Sequence, residues 1–279
     1  MLTKLKVLKL INFLTLLILG MIIILPFVFM IVASFKPARE IFAHGLNLNL
    51  NLEMMTFNNY LALFTNRGGI YWRWFANSVL ITIISTALIL LFTSMVGYGL
   101  AQYKFKGRTF VFLLVLATMM VPGQILLLPL FRLITALGLM DSYLGVILPG
   151  LVPATAIFFF RQYCMGLPRD YAEAARIDGC SEGRIFWQIY VPLMKPAFGA
   201  MTILTGMNVW NDFLWPLVVL RTTENLTLPA GLLSAMTPYE NNFDLLFAGS
   251  VMSVIPIVIL FLFNQRAFIE GITIGGIKG

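Results

Sequence analysis

Charged residues are scarce in this sequence. Asp, Glu, Lys and Arg make up 11% of the 279 residues, whereas 59% are hydrophobic. Soluble domains carry roughly 25% charged residues. The chain therefore has too few polar side chains to cover a water-soluble globule, and the composition indicates a membrane protein.

Histidine and cysteine are also nearly absent. His44 is the only histidine, and Cys164 and Cys180 are the only cysteines. A zinc or catalytic site needs partners that this composition does not provide, so His44 is interpreted as a solvated loop residue. Neither a disulfide, a metal site nor a cofactor is predicted in the chain.

Two further patterns are missing from the sequence. No Gly-x-x-x-x-Gly-Lys-Ser/Thr phosphate cradle occurs, so any ATP hydrolysis is expected on another polypeptide. No repeat of fixed period occurs either, which favours one membrane domain over residues 1–279.

Long apolar blocks are what the sequence does contain. Each is close to the ~20 residues that a helix needs to cross the hydrocarbon core, and none shows the alternation of a membrane-spanning barrel strand. The fold class predicted is all-α membrane, because backbone polar groups in lipid must be paired within helices. The six predicted spans are Leu10 to Ala33, Phe75 to Ala101, Phe110 to Ala136, Tyr143 to Phe160, Ala197 to Leu220 and Phe247 to Phe263.

The basic residues predict the orientation of these spans. With the N-terminus inside, 13 of the 19 Lys and Arg residues fall in cytoplasmic segments. Both termini are therefore expected in the cytoplasm, and the first span is expected to be retained. The net charge of +7 is explained by this bias and by contact with anionic lipid, so nucleic-acid binding is not predicted.

Two sizeable outer loops are predicted, and the first is large enough to contact another protein. The first covers residues 34–74 and contains an alternating Leu-Asn run at 46–52 that predicts a short strand. The second covers residues 221–242, where two prolines and a glycine predict irregular structure.

The segment 161–196 is polar, and it predicts two short helices on the cytoplasmic side. Pro168 is expected in the first turn of the first helix, Gly179 in a left-handed turn after it, and Ser181 at the cap of the second. Three small residues are expected to be exposed and to let another protein's backbone approach: Ala172, Ala174 and Ala175.

A spaced motif within this segment resembles the cytoplasmic signature of the membrane subunits of binding-protein-dependent ATP-binding-cassette importers. Glu173-Ala174-Ala175 is followed by Gly179, and then by Ile189, Val191 and Pro192 at the signature's spacing. Val191 replaces the usual leucine.

Weaker similarities narrow this resemblance to the carbohydrate-uptake branch, and within it to the maltose-type second permease subunit. They lie in the family's order along nearly the whole chain, which makes coincidence a poor explanation. They are residues 56–60, 77–78, 97–101, 137–139, 177–179, 210–214 and 271–279.

The resemblance implies a division of labour between subunits. An extracytoplasmic solute-binding protein delivers the solute, a second permease subunit completes the path, and two ATP-binding subunits hold ATP and magnesium. Residues expected to couple this chain to the ATPase are Glu173, Ala174, Ala175, Asp178, Gly179, Ile189 and Pro192. The tail residues Gly275, Gly276 and Lys278 are expected to reach the same interface.

Asp212 is the one acidic residue inside the predicted spans, and this makes it a functional candidate. It either faces the solute path or serves as a structural hydrogen-bond partner. Asn77, Trp210 and Asn211 are the other residues predicted along the path. Trp210 and Trp215 fit an interfacial aromatic belt or a sugar-stacking surface.

The solute itself is not specified by the sequence. An oligosaccharide is the first expectation, and glycerol-3-phosphate or a related polar solute is the alternative. An ion-coupled secondary carrier is the rival from another class, but such carriers usually hold several ionisable groups within their spans.

Overall fold

The computed structural model describes residues 2–37, 55–65, 68–234, 236–237, 240–241 and 243–276. The Leu-Asn strand at 46–52, His44 and Lys278 lie outside the described residues. Residues 1–72 and 232–255 form one compact unit, and residues 73–231 and 256–279 form a second.

Helices dominate the described residues. The α-helices are α1 (Leu2–Ser34), α2 (Asn58–Thr65), α3 (Ile70–Gln102), α4 (Arg108–Met119), α5 (Leu127–Ala136), α6 (Tyr143–Ile147), α7 (Ala154–Met165), α8 (Asp170–Ile177), α9 (Glu182–Ile185), α10 (Val191–Leu193), α11 (Lys195–Trp210), α12 (Leu214–Val219), α13 (Leu228–Ser234) and α14 (Phe243–Gly276). Single 3-10 turns are Gly123–Leu126, Leu148–Gly150 and Thr223–Asn225, a π-helical turn is Phe186–Tyr190, and a strand pair joins Met236–Thr237 to Glu240–Asn241. The second outer loop is therefore more ordered than its composition predicted.

Among the described residues, three helices are long and apolar enough to cross a membrane, and they cover the first, second and sixth predicted spans. The apolar portions are Lys6–Ser34, Ile70–Gln102 and Leu246–Ile269. Counting each of two bent helix pairs as one span raises the number in the described residues to five. The six-span count stays a prediction.

The other three predicted spans are not continuous helices. The span predicted at 110–136 bends by 91° between Met119 and Gly123, where Pro122 lacks a backbone N–H to continue the helix. The span predicted at 143–160 bends by 46° at a segment flanked by Pro149 and Pro153. The span predicted at 197–220 ends at Trp210 and resumes as α12.

In the first unit, α2 is fastened to the end of α1. The Asn59 side chain is buried and donates to the backbone oxygens of Ser34 at 2.8 Å and Lys36 at 3.0 Å. The hydroxyls of Ser34 and Tyr60 are hydrogen-bonded at 2.7 Å. Most side chains of α1 are exposed and apolar, as expected for a helix that faces lipid or another subunit.

The second unit has an apolar core between α3, α7 and the polar segment that follows. Phe160, Ile185, Tyr190 and Met194 are fully buried there. At Gly97, α3 approaches α7 so closely that a Cβ atom would lie 2.7 Å from the Phe160 Cβ. Small residues permit such close helix contacts within membranes.

Candidate functional site

The helix-turn-helix predicted at 161–196 is present. Helix α8 ends at Ile177 with Asp178 as its C-cap, and Gly179 follows with φ +77°. The Cys180 N–H donates to the Ala175 oxygen at 2.9 Å, as in a glycine-terminated helix. The Ser181 hydroxyl accepts the Arg184 N–H at 3.4 Å and caps α9. The turn and cap are confirmed, whereas Pro168 precedes α8 instead of lying in its first turn.

The expectation that Ala172, Ala174 and Ala175 are all exposed is wrong. Ala172 and Ala175 are three residues apart on one helical face, and that face packs into the chain's own core. Ala174 is exposed, together with Glu173 and Asp178. Ile177 on the same outer face is 87% exposed. The exposed surface of α8 therefore consists of an isoleucine flanked by small and acidic residues.

The remaining predicted coupling residues also divide into exposed residues and residues packed against the core. Gly179 and Pro192 are exposed, and Ile189 packs against the core. Gly275 and Gly276 end helix α14.

A set of three side chains links the two short helices to α3. Arg176 binds Glu182 in bidentate fashion, with Nε to Oε1 at 2.6 Å and Nη2 to Oε2 at 3.1 Å. The Tyr103 hydroxyl donates to Glu182 Oε2 at 2.7 Å. We call this set the Glu182 latch. The hydrogen bonds between the two side chains hold the pKa of Glu182 below its usual value and raise the pKa of Arg176 above its usual value. The latch was not predicted, because Arg176 and Glu182 are six residues apart across a turn, which is not a helical spacing.

A groove forms in the second unit where the three broken spans meet. Its volume is about 430 Å³, and Gln124, Gly150 and Asp212 contribute to its wall from the three breaks. Ser78 and Ser85 of α3 add hydroxyl groups. A second cavity of about 620 Å³ is also lined by Gly150 and Asp212.

Asp212 is the predicted path residue that lies on the groove. It lines both cavities, and its carboxylate also accepts hydrogen bonds from the backbone N–H groups of Phe213 and Trp215. The two interpretations of Asp212 are thus compatible, because one carboxylate orders the start of α12 and borders the cavities. Trp215 lines the groove as well, with its indole N–H donating to the Gly145 oxygen at 3.2 Å.

The other predicted path residues do not line either cavity. Trp210 is 5% exposed and packs edge-on against Phe75, and Asn211 is exposed elsewhere. Asn77 is 6% exposed, accepts the Tyr143 hydroxyl at 2.7 Å, and donates to two backbone oxygens. The structure places Asn77 away from both cavities, because both N–H groups of its amide and its oxygen are engaged in holding a loop and Tyr143.

That loop, residues 221–228, is held by side chains from α3 and from the turn before α6. Trp74 donates to the Thr223 oxygen at 2.7 Å, and Asn77 donates to the Glu224 and Leu226 oxygens at 2.8 and 2.9 Å. Asp141, with φ 55°, accepts the N–H groups of residues 221 and 222 and the Thr222 hydroxyl. These bonds, that of Thr222 first, lower the pKa of Asp141 to about 2. We call Trp74, Asn77 and Asp141 the loop clamp.

The sequence and the fold match one class of protein. Residues 89–273 match the family described as "Binding-protein-dependent transport system inner membrane component". The chain belongs to this family of inner-membrane transport permeases, which confirms the resemblance seen in the Glu173 to Pro192 motif.

Individual relatives are similar along nearly their full length. The chain is 53% identical to the arabinooligosaccharides transport system permease protein AraQ of Bacillus subtilis, over 94% of this chain and 92% of that one. It is 32% identical to the lactose transport system permease protein LacG of Rhizobium radiobacter, over 91% of both. A bacterial ABC transporter that imports the polysaccharide alginate contains a chain of the same fold, with a TM-score of 0.80, 24% identity, and 94% and 96% of the two chains covered. The predicted importer-permease fold is confirmed.

Proposed function

We propose that this chain is one permease subunit of an ATP-driven importer and lines part of the path of a sugar, with an arabino-oligosaccharide as the first candidate. The observation that carries the proposal is the groove bordered by Asp212, in a chain 53% identical to an arabinooligosaccharide permease.

The chemistry of the groove suits a polyhydroxylated solute. Broken helices inside a membrane leave backbone polar groups unpaired, and these are tolerated where they line a solvated cavity. Ser78, Ser85, Gln124 and Asp212 add side-chain donors and acceptors for sugar hydroxyls, and Trp215 adds an aromatic side chain. Apolar walls with a few polar groups are typical of small-molecule sites.

The helix-turn-helix is the part of the chain proposed to contact the ATPase. Its outer face presents Glu173, Ala174, Ile177 and Asp178, and Gly179 adds no side chain at the turn. ATP and magnesium are bound by the partner ATP-binding subunits, because this chain carries no phosphate cradle. A second permease subunit and an extracytoplasmic solute-binding protein complete the complex. In this arrangement both termini and α8 lie on the cytoplasmic side of the inner membrane, and the glycine-rich tail lies near the ATPase.

Uptake by the complex reconstituted in proteoliposomes tests this function. Arabinotriose is expected to accumulate only with ATP and the ATPase subunits present, and glycerol-3-phosphate, the solute of a relative that is 31% identical, serves as the competing substrate. Import without an ATPase, driven by an ion gradient, would support the secondary carrier instead.

Asp212→Asn tests the groove itself. We expect arabinotriose uptake to fall about tenfold, because a charge-assisted hydrogen bond to a sugar hydroxyl is lost in a poorly solvated site. Asn211→Ala is the matched control, since Asn211 is adjacent and exposed but lines neither cavity. If Asp212→Asn lowers the yield of the complex while the surviving complexes transport normally, Asp212 has only its structural role.

A further inference from the structure

The Glu182 latch joins the surface proposed to meet the ATPase to the helix that lines the groove. Arg176 belongs to α8, Glu182 begins α9, and Tyr103 directly follows α3. The backbone N–H of Tyr103 donates to the Gly99 oxygen at 3.2 Å, so Tyr103 continues the last turn of α3. A displacement of α8 must either pull Tyr103 with it or break these bonds.

Glu182 is held in place by its own surroundings. The Ser181 cap fixes the start of α9, and Ile185, one turn further on, is completely buried. Tyr103 is similarly constrained, since its ring packs edge-on against buried Tyr98 with centroids 5.5 Å apart. Glu182, which binds Arg176, and Tyr103, which binds Glu182, are therefore both positioned before these bonds form. This limits the conformational entropy that is lost when the bonds are made.

Apolar packing also joins these helices, but it does not fix their register. Ala172 and Ala175 lie in the same buried cluster as Tyr98, and apolar contacts are non-directional. A second polar tie, from Arg169 to the Ala101 oxygen, is longer at 3.5 Å. The short bidentate bonds between Arg176 and Glu182 have strict geometry and fix α8 relative to α9, and the 2.7 Å bond from Tyr103 to Glu182 connects this pair to the end of α3.

The far half of α3 reaches the groove. Ser78, Ile81, Ser85 and Ile89 line it, and Ile89 lies 14 residues from Tyr103, or about 21 Å along the helix at 1.5 Å per residue. No break interrupts α3 between these points. A movement at Tyr103 is therefore carried to the groove wall by a single helix.

We propose that Glu182 is a positioning residue that transmits movement of α8 to α3 through Tyr103 and so links ATP turnover to opening of the groove. This inference rests on the proposed function. Its specific content is that one carboxylate, exposed and outside the solute path, sets how much solute is imported per ATP.

The test uses the complex in proteoliposomes and measures ATP hydrolysed per arabinotriose imported. Tyr103→Phe removes one hydroxyl, and Glu182→Gln removes the charge but keeps the size of the side chain. We expect ATP per solute to rise about twofold for Tyr103→Phe, which loses one charge-assisted bond, and up to about fivefold for Glu182→Gln, which loses the charge of an exposed ion pair. The double variant should resemble Glu182→Gln alone, because the two groups act through one bond.

Gln188→Ala is the control. Gln188 accepts a hydrogen bond from Arg184 at 2.8 Å on the exposed side of the same segment, and this pair does not reach α3. It should leave ATP per solute unchanged. Equal ratios for wild type, Tyr103→Phe and Glu182→Gln would overturn the inference while leaving the proposed function intact. Lower complex yield with an unchanged ratio would overturn it too, because it would mark the latch as merely structural. A wild-type complex that imports no arabinotriose would refute the proposed function and the inference together.

Discussion

The two ends of α3 are held by different chemistry. At the Trp74 end, the two members of the loop clamp that belong to α3, Trp74 and Asn77, are neutral side chains that donate to backbone oxygens and are 0% and 6% exposed. At the Tyr103 end, the Glu182 latch uses an ion pair whose side chains are 38% and 47% exposed. Buried bonds are costly to break, whereas exposed ion pairs contribute little to stability and are weakened by salt. One end is therefore suited to permanent attachment and the other to repeated release.

The largest effect is expected at the Trp74 end, from Asn77→Ala. The substitution leaves the Glu224 and Leu226 oxygens and the Tyr143 hydroxyl without the amide that pairs with them. We expect the free energy of unfolding to fall by about 3 kcal/mol, because each buried polar group left unpaired costs about 1–3 kcal/mol. Chemical denaturation of the purified chain in detergent measures this.

Asn211→Ala is the matched control for Asn77→Ala. Asn211 is exposed and bonds only within its own helix, at 2.9 Å to the Met207 oxygen. A loss for Asn77→Ala no greater than that for Asn211→Ala would show that the loop clamp does not hold residues 221–228.

An intermediate effect is expected near the Tyr103 end, from Gly179→Asp. This substitution should weaken binding of the ATPase subunit more than it destabilises the chain itself. An added Cβ atom at Gly179 meets nothing within 4 Å, so the cost within the chain is the positive φ, about 1 kcal/mol. Within a close-fitting ATPase cleft, however, an unpaired charge costs several kcal/mol. We expect the ATPase subunit retained on purification to fall at least about tenfold, which corresponds to 1.4 kcal/mol or more.

Gly183→Asp is the control for Gly179→Asp, because it adds the same negative charge outside the turn that is proposed to dock in the ATPase. Gly183 is four residues away, exposed, and equally open to an added Cβ atom. Retention of the ATPase should be near normal in this variant. Full retention and full uptake in Gly179→Asp would mean that this turn is not the ATPase contact.

Local features of both regions could be predicted from the sequence. The left-handed Gly179 and the Ser181 cap depend on neighbouring residues, and the long apolar runs define three continuous helices. Helix breaks could not be predicted from proline alone, since Pro26 and Pro256 lie inside the continuous helices α1 and α14. A break in a membrane helix depends on neighbours that pair the freed backbone groups, and these lie elsewhere in the chain.

The hydrogen-bond partners of individual side chains could not be predicted from the sequence either, because these partners lie far away along the chain. Asn77 bonds to residues about 150 positions away, so its amide could be assigned to the solute path as easily as to a loop. The inward face of α8 was missed because Ala172, Ala174 and Ala175 are chemically alike. Only the tertiary contacts distinguish the buried Ala172 and Ala175 from the exposed Ala174.

The smallest effect is expected from titrating the Glu182 latch. The pKa of Glu182 is lower in the folded chain than in the unfolded chain. The stability that Glu182 contributes to the fold is therefore complete above the ordinary pKa of Glu, about 4.3, and is lost as the pH falls through the lower pKa of the folded chain. The ion pair is exposed, and its contribution is therefore about 0.5 kcal/mol. We expect wild type to be more stable than Glu182→Gln by this amount at pH 7, and the difference to vanish as the pH falls below about 4.

Comparing the two chains at each pH removes the effect of other carboxylates. Glu224→Gln, at the Trp74 end, provides the control, because the substitution keeps the backbone oxygen that Asn77 binds. The same measurements in high salt should shrink the Glu182 difference but leave the Asn77→Ala loss unchanged, since exposed charges are screened and buried neutral bonds are not. A Glu182 difference that persists in high salt and at pH 3 would contradict the assignment of the Tyr103 end as the releasable one.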